Sequence, residues 1–410
     1  MYIAFLLLIL TLSNGLFWLV PGGKVAGIVK PADIGLVLVI LGFLWSMMQS
    51  RVLVRLKDAL SISIAVLLFL LAIQASFASF NFNQSILNGL VAIREQYYYL
   101  SFFVFLVLLN TEQRITKFLD WCVVLSIFIG ILAIADYIFG GFYKHQYAES
   151  EVIRSGVVRG QVAGMDIVTL SLLWLMTKFT TRNTSSYLSK YTALGAIFMM
   201  GLHFFRQTRS RLVAVMLVLG WITYKSGKKL ILGGIVLAFV VVALIAEVTL
   251  KDNIILSPFS SVVEVAGDVQ GEVPGRVEQI SKDLEVFMDN PVIGAGTAAL
   301  RASQASNSLQ ASELARKADL GYTHWLKAYG ILGMAWLLWF YLLTWSKLGQ
   351  LQRHNNEVSP LPTFLRGYFY YVVVSFVTLN HFMFGFRIIL ICAMAAILVN
   401  LNVIYRGRQA

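Results

Sequence analysis

The sequence predicts an all-α polytopic membrane protein of about 12 transmembrane helices, with one large outer loop that contains short helices. Three observations carry this expectation. The chain is 58% hydrophobic and only 13% charged over 410 residues, and its mean hydropathy is +0.74. Long apolar runs recur along its length. Basic residues concentrate in every second connection. A soluble domain of this size could not bury so much apolar surface, whereas a bilayer absorbs it.

A helix needs about 20 mostly apolar residues to cross a bilayer. Runs of that kind fall at 3–20, 32–49, 59–80, 88–110, 118–139, 162–179, 191–205, 211–224, 229–249, 322–345, 364–382 and 384–405. The pair at 191–205 and 211–224 is short, which predicts broken helices or helices packed inside protein. The first run has no basic leader and no small-residue cleavage site, so it reads as a retained span. Residues 1–249 hold nine spans, 250–320 form the long polar loop, and 321–410 hold the last three. Within the loop, "SQASNSLQAS" at 303–312 reads as flexible.

Loop charge sets the orientation. With both termini cytoplasmic, the inner connections include "QSRVLVRLKD", "NTEQRITK", "KFTTRNTSSYLSK", "KSGKK" and "SKLGQLQRHNNE". They contain few acids: Asp58, Glu112, Asp120 and Glu357. Loop 250–320 and most other Asp and Glu then face outward. The net charge of +12, from 33 Lys+Arg against 21 Asp+Glu, fits basic inner loops and affinity for anionic lipid or an anionic substrate, with no nucleic acid implied. Cys122 and Cys392 lie in apolar runs and build no metal or disulfide framework.

The outer side should be poor in positive charge near span ends. Yet Arg94, Arg154, Arg159, Arg206, Arg209, Arg211, Arg276 and Arg387 fall at or beside outer ends. Three of these crowd into "HFFRQTRSRLVAV" at 203–215. A guanidinium matches phosphate oxygens as a bidentate fork, so such a group suits a lipid-linked phosphate or pyrophosphate. Singly, each arginine could instead snorkel to headgroups or pair with a nearby acid such as Glu95, Glu149 or Glu151.

No phosphate-cradling loop, H-E-x-x-H, G-x-S-x-G or paired D-x-D is present, so neither a metal nor another cofactor is expected. In the outer loop, "RVEQISKDLEVFMD" repeats apolar residues at helical spacing after Pro274 and Gly275, and "NPVIGAG" at 290–296 ends it. Arg276 opens that helix, where a cation is unfavourable against the dipole and calls for an anion. Asp319 precedes a span starting near Gly321: it is either an N-cap or a general base. Tyr322, His324 and the aromatic residues Tyr97–Tyr99, Trp325 and Tyr329 are interfacial packing or sugar-facing groups.

Together "GRVEQ…DNPVIGAG…DLGYTHWLKAYGILG", "REQYYYL", "VVRGQVAG" and "TRSR" resemble the bacterial O-antigen polymerase and ligase superfamily. The resemblance implies a metal-independent glycosyltransferase of the inner membrane that uses an undecaprenyl-pyrophosphate-linked oligosaccharide as donor. By that analogy Arg159, Arg211 and Arg276 grip the pyrophosphate. Arg94, Arg154, Arg206, Arg209, Tyr322, His324 and Arg387 would bind substrate beside them. Partners expected on the same basis are membrane lipids and, as a further candidate, a chain-length regulator protein. Ligases of the family carry a His-Asn-type pair eleven positions before a G-x-x-G. Counting back from Gly330 gives Asp319 here, with His324 five residues on and about 140° round a helix. That departure favours a polymerase, with Asp319 as base, over a ligase acting on lipid A-core. The rival outside enzymes is a flippase for lipid-linked sugars, a class that usually shows two related halves.

Overall fold

The structure is a computed structural model. It describes residues 2–19, 29–49, 55–82, 85–139, 153–154, 157–158, 162–181, 187–206, 209–227, 272–296, 320–354 and 359–407. Thirteen α-helices are described: α1 (Tyr2–Ser13), α2 (Pro31–Met47), α3 (Ala59–Phe82), α4 (Ile86–Ala92), α5 (Ser101–Leu108), α6 (Glu112–Phe139), α7 (Met165–Thr181), α8 (Tyr187–Arg206), α9 (Arg209–Lys225), α10 (Glu272–Asp289), α11 (Gly321–His354), α12 (Pro360–Ser375) and α13 (Gly385–Gly407). A two-residue antiparallel ladder pairs β1 (Ile153–Arg154) with β2 (Val157–Val158).

Helices stand at eleven of the twelve apolar runs, and the run at 229–249 lies outside the described residues. Among the described residues, four helices are long and apolar enough to cross a bilayer alone: α3, α6, α11 and α13. These four do not by themselves establish a count of twelve spans. Several others are cut short. The run 88–110 breaks into α4, a 3-10 segment at Arg94–Leu100, and α5. Such broken helices are tolerated at membrane depth where protein covers them, and Tyr98, Tyr99 and nearly all of α5 are buried.

At the centre is α13, whose span is 89% buried. Its run is apolar all round, which marks a helix enclosed by others. Packed against it are α5 and α11, with the 3-10 segment. In its last third, Asn400 satisfies carbonyls at the C-terminal end of α5: its Nδ2 donates to Leu106 O at 3.1 Å and Leu109 O at 2.8 Å. The last carbonyls of a helix need such partners.

Acidic residues of the predicted inner connections gather at one end of the bundle. Asp58 pairs with Lys347 at 2.5 Å, Asp120 with Lys178 at 2.8 Å, and Glu112 accepts from Tyr405 at 3.1 Å. Asp166 and Arg387 lie towards the other ends of the same helices. From Arg387 to Tyr405 along α13 is about 27 Å at the rise of an α-helix.

The most elaborate joint links α10 to α11. In α11 the chain kinks at Gly330, with φ 60° and ψ −159°. The turn after α10 docks there through four backbone hydrogen bonds. Ala295 N donates to Lys327 O at 3.0 Å and Gly296 N to Ala328 O at 3.1 Å, while Ile331 N donates to Pro291 O at 2.9 Å and Leu332 N to Val292 O at 3.1 Å. Gln74 adds a side-chain bond to Ile293 O. The "NPVIGAG" turn thus supplies the partners that the kink takes from α11, besides ending α10. Gly294 has φ +80°, and a Cβ there would meet the Ala328 backbone at 2.5 Å. Gly294→Ala should lower the heat-unfolding midpoint of the detergent-solubilised protein, since backbone strain alone costs about 1–3 kcal/mol. Gly349→Ala, which has open space within 4 Å, should not lower it; equal midpoints for the two variants would refute this joint.

Helix α10 begins at Glu272, earlier than the sequence indicates, because Pro274 is tolerated within a first turn. Arg276 consequently sits one turn inside the helix rather than at its start.

Candidate active site

Two arginines converge on one carboxylate. Arg211 Nη2 donates to Asp166 Oδ1 at 3.0 Å, and Arg387 Nε donates to Asp166 Oδ2 at 3.3 Å. Their side chains are 5% and 11% exposed, that of Asp166 7%. Each belongs to the first turn of its helix: Asp166 to α7, Arg211 to α9 and Arg387 to α13. A carboxylate suits that place, while a cation opposes the dipole. Sharing Asp166 between them offsets part of that cost.

The balance is incomplete. Two guanidiniums against one carboxylate leave one net positive charge in a buried place. Arg211 also keeps Nε and Nη1 shielded from solvent with no hydrogen-bond partner among the described residues. A buried unsatisfied donor is costly, more so on a charged group.

The loop between α12 and α13 closes the cluster. Arg387 Nη1 donates to Asn380 O at 3.2 Å, and Asn380 Oδ1 is buried without a partner. His381 Nε2 meets Ser375 Oγ at 2.6 Å, while Ser375 Oγ also donates to Tyr371 O at 2.5 Å. A hydroxyl has one proton, so with Ser375 donating to the carbonyl it accepts from the imidazole. That bond places the His381 proton on Nε2 and leaves Nδ1 as the acceptor. Tyr371 and Phe376 flank the ring at centroid distances of 5.6 and 6.3 Å. Behind α7, His203 reaches Thr169 at 3.0 Å and Met199 O at 2.8 Å.

The sequence candidates distribute unevenly over this site. Arg211 and Arg387 form it. Tyr322 stands at its wall: its hydroxyl donates to Val373 O at 3.0 Å and its ring meets Phe376 edge-on at 4.5 Å. His324 is buried on the same half of α11. Arg94 pairs with Asp33 at 3.6 Å, both about 40% exposed, which is a weak surface contact. Arg206, Arg209 and Arg276 lie on described backbone in α8, α9 and α10, and Arg154 on β1, with their side chains outside the described parts. Arg159 and Asp319 lie outside the described residues, as do 250–271 and 297–319 of the predicted outer loop. The aromatic residues Tyr98 and Tyr99 are structural, donating to Ala32 O at 2.6 Å and Phe382 O at 2.9 Å.

Sequence reasoning missed Asp166, Asn380 and His381. The signal for Asp166 was an acid at the outer end of an apolar run, directly after "VVRGQVAG". For the other two it was a polar pair, "NH", between the last two apolar runs.

No curated protein matches the chain. A solved chain from a peptidoglycan synthase complex superposes with a TM-score of 0.44 at 16% identity, covering 83% of this chain and 97% of that one. Residues 194–338 match the family model described as O-antigen ligase. That segment, about a third of the chain, is thus similar to the O-antigen ligase family, and it carries Arg211, α10 and the kinked joint.

Proposed function

We infer that the protein is a surface-polysaccharide polymerase that joins lipid-pyrophosphate-linked repeat units at the outer face of the bacterial inner membrane. The observation that carries this reading is Arg211. Its free Nε and Nη1 donors, beside a cluster with one uncompensated positive charge, suit the oxygens of a pyrophosphate. The family match supports glycosyl transfer of the O-antigen ligase or polymerase type.

In this mechanism the arginines hold the donor's pyrophosphate and stabilise its charge as it departs, the electrostatic effect that is often the largest in catalysis. Arg276, on α10, is the candidate for a second phosphate ligand. The acceptor hydroxyl oxygen attacks the anomeric carbon from the opposite side, and the new C–O bond inverts the configuration. The bond to the pyrophosphate oxygen breaks, and its electron pair leaves with undecaprenyl pyrophosphate. The hydroxyl proton passes to a carboxylate, for which Asp319 is the candidate.

The matched family model is described as a ligase, which makes ligation to lipid A-core the second reading. Purified protein given only undecaprenyl-pyrophosphate-linked repeat units distinguishes them. A polymerase lengthens the units and releases undecaprenyl pyrophosphate, whereas a ligase leaves them unchanged until lipid A-core is added. Failure of both products refutes the enzyme reading.

A further inference from the structure

At the opposite end of α9 from Arg211, fourteen residues or about 21 Å along the helix, stands Lys225. Its Nζ lies over the Trp221 ring at 5.8 Å. On α12, the Arg366 guanidinium lies over the Trp345 ring at 5.7 Å. Tyr370 sits between the two indoles, 4.8 Å from Trp221 and 5.9 Å from Trp345. A row of five side chains from α9, α12 and α11 thus ends in a cation on each side.

Nothing described neutralises these cations. Neither Lys225 nor Arg366 enters an ion pair among the described residues. Both cations cap one continuous aromatic row, Lys225 over Trp221 and Arg366 over Trp345, with Tyr370 against both indoles. Arg366 Nε is shielded from solvent and lacks a hydrogen-bond partner. Two like charges held together beside an orphaned donor call for an anion.

The flanking surface indicates what carries that anion. Leu217 on α9 lies one turn from Trp221, and Leu338 and Leu342 lie on the Trp345 side of α11. On α12, Val374 follows Tyr370 by one turn. All four are exposed. These stripes run from the cations towards the bundle centre, so an apolar surface continues directly from a charged one. A soluble phosphate has no use for such walls, whereas acyl chains do. Aromatic side chains beside cations are also the usual furnishing of a membrane–water interface.

We propose that Lys225 and Arg366, framed by Trp221, Tyr370 and Trp345, form a binding site for the phosphate of an anionic phospholipid in the leaflet opposite the arginine–aspartate cluster. The acyl chains lie along Leu217, Leu342 and Val374. The site is separate from the proposed pyrophosphate site and does not depend on what the protein catalyses.

Native mass spectrometry of the full-length protein in detergent, titrated with phosphatidylglycerol or phosphatidylcholine, tests this. The wild type should retain phosphatidylglycerol in preference to phosphatidylcholine. The double variant Lys225→Gln/Arg366→Gln should bind it about thirty-fold more weakly, given the attraction two basic residues provide near an anionic membrane surface. Lys57→Gln, an exposed lysine elsewhere, should bind it as the wild type does. Equal retention of the two lipids, or unchanged binding in the double variant, overturns the proposal. Displacement of bound lipid by inorganic phosphate alone would instead identify a free-phosphate site. Trp345→Leu, which removes an aromatic wall and no charge, should weaken binding less than the double variant and guards against misreading a folding defect.

Discussion

Lysine in place of Arg211 is expected to leave a folded, membrane-inserted protein whose polymer output falls about a hundred-fold or more, the loss that follows removal of one charge-stabilising donor. Lysine keeps a positive charge within reach of Asp166, so the buried carboxylate stays paired. What disappears is the planar fork, and with it the Nε and Nη1 donors that have no partner among the described residues. A point charge does not reproduce bidentate phosphate recognition. Alanine is the harsher change, because Asp166 would then rely on Arg387 alone at 3.3 Å. Glycan gels of cells carrying either variant as their only polymerase, with membrane protein levels measured in parallel, provide the check. If Arg211→Lys yields a wild-type ladder at equal protein level, Arg211 is not the pyrophosphate ligand and the functional reading loses its main support.

Breaking the ion pair between α10 and α11 should have the largest effect on stability. Lys327 Nζ meets Asp283 Oδ1 at 2.6 Å, and the two side chains are 4% and 3% exposed. Removing one partner of such a pair strands a buried charge and costs about 3–5 kcal/mol. Asp283→Ala is therefore expected to unfold at clearly lower temperature, or to accumulate poorly, and Lys327→Met likewise. The double variant Asp283→Leu/Lys327→Met removes both charges at similar volume and should recover most of the loss, because buried pairs are often replaceable by apolar residues. Heat unfolding of the four proteins in detergent measures this. Additive losses in the double variant would mean that each residue acts through other contacts. Polymer yield from the double variant carries separate information: recovered stability with lost activity would show that the pair aims α10, and with it Arg276, as well as holding it.

The amphipathic helix α10 of the predicted outer loop and eleven of the helical segments were legible in the sequence because both rest on local pattern. Apolar residues at helical spacing identify α10 wherever it docks. What the pattern could not show was continuity. The run at 88–110 is apolar throughout, yet it changes to a 3-10 segment at Arg94–Leu100, and the carbonyls at its far end are met by Asn400, nearly 300 residues on. The same holds for "NPVIGAG" and "GILG". The first reads locally as a breaker and the second as part of a continuous span, and neither reveals that they are two halves of one joint.

For the candidate site, the arginines stood out because they oppose the charge bias of their side of the membrane. That signal flagged Arg211 and Arg387 among eight arginines, and the family resemblance then singled out Arg211. Asp166 was not flagged, since an acid at an outer helix end agrees with the bias and raises no question. By itself the sequence determined that this is a membrane protein, which way its charge runs, and which cations are anomalous, because hydropathy and charge are properties of residues in order. Only the tertiary structure decided that two of those arginines share a single aspartate and that one keeps free donors. Convergence of three helix ends depends on contacts between residues 166, 211 and 387, and no local periodicity encodes contacts across such separations.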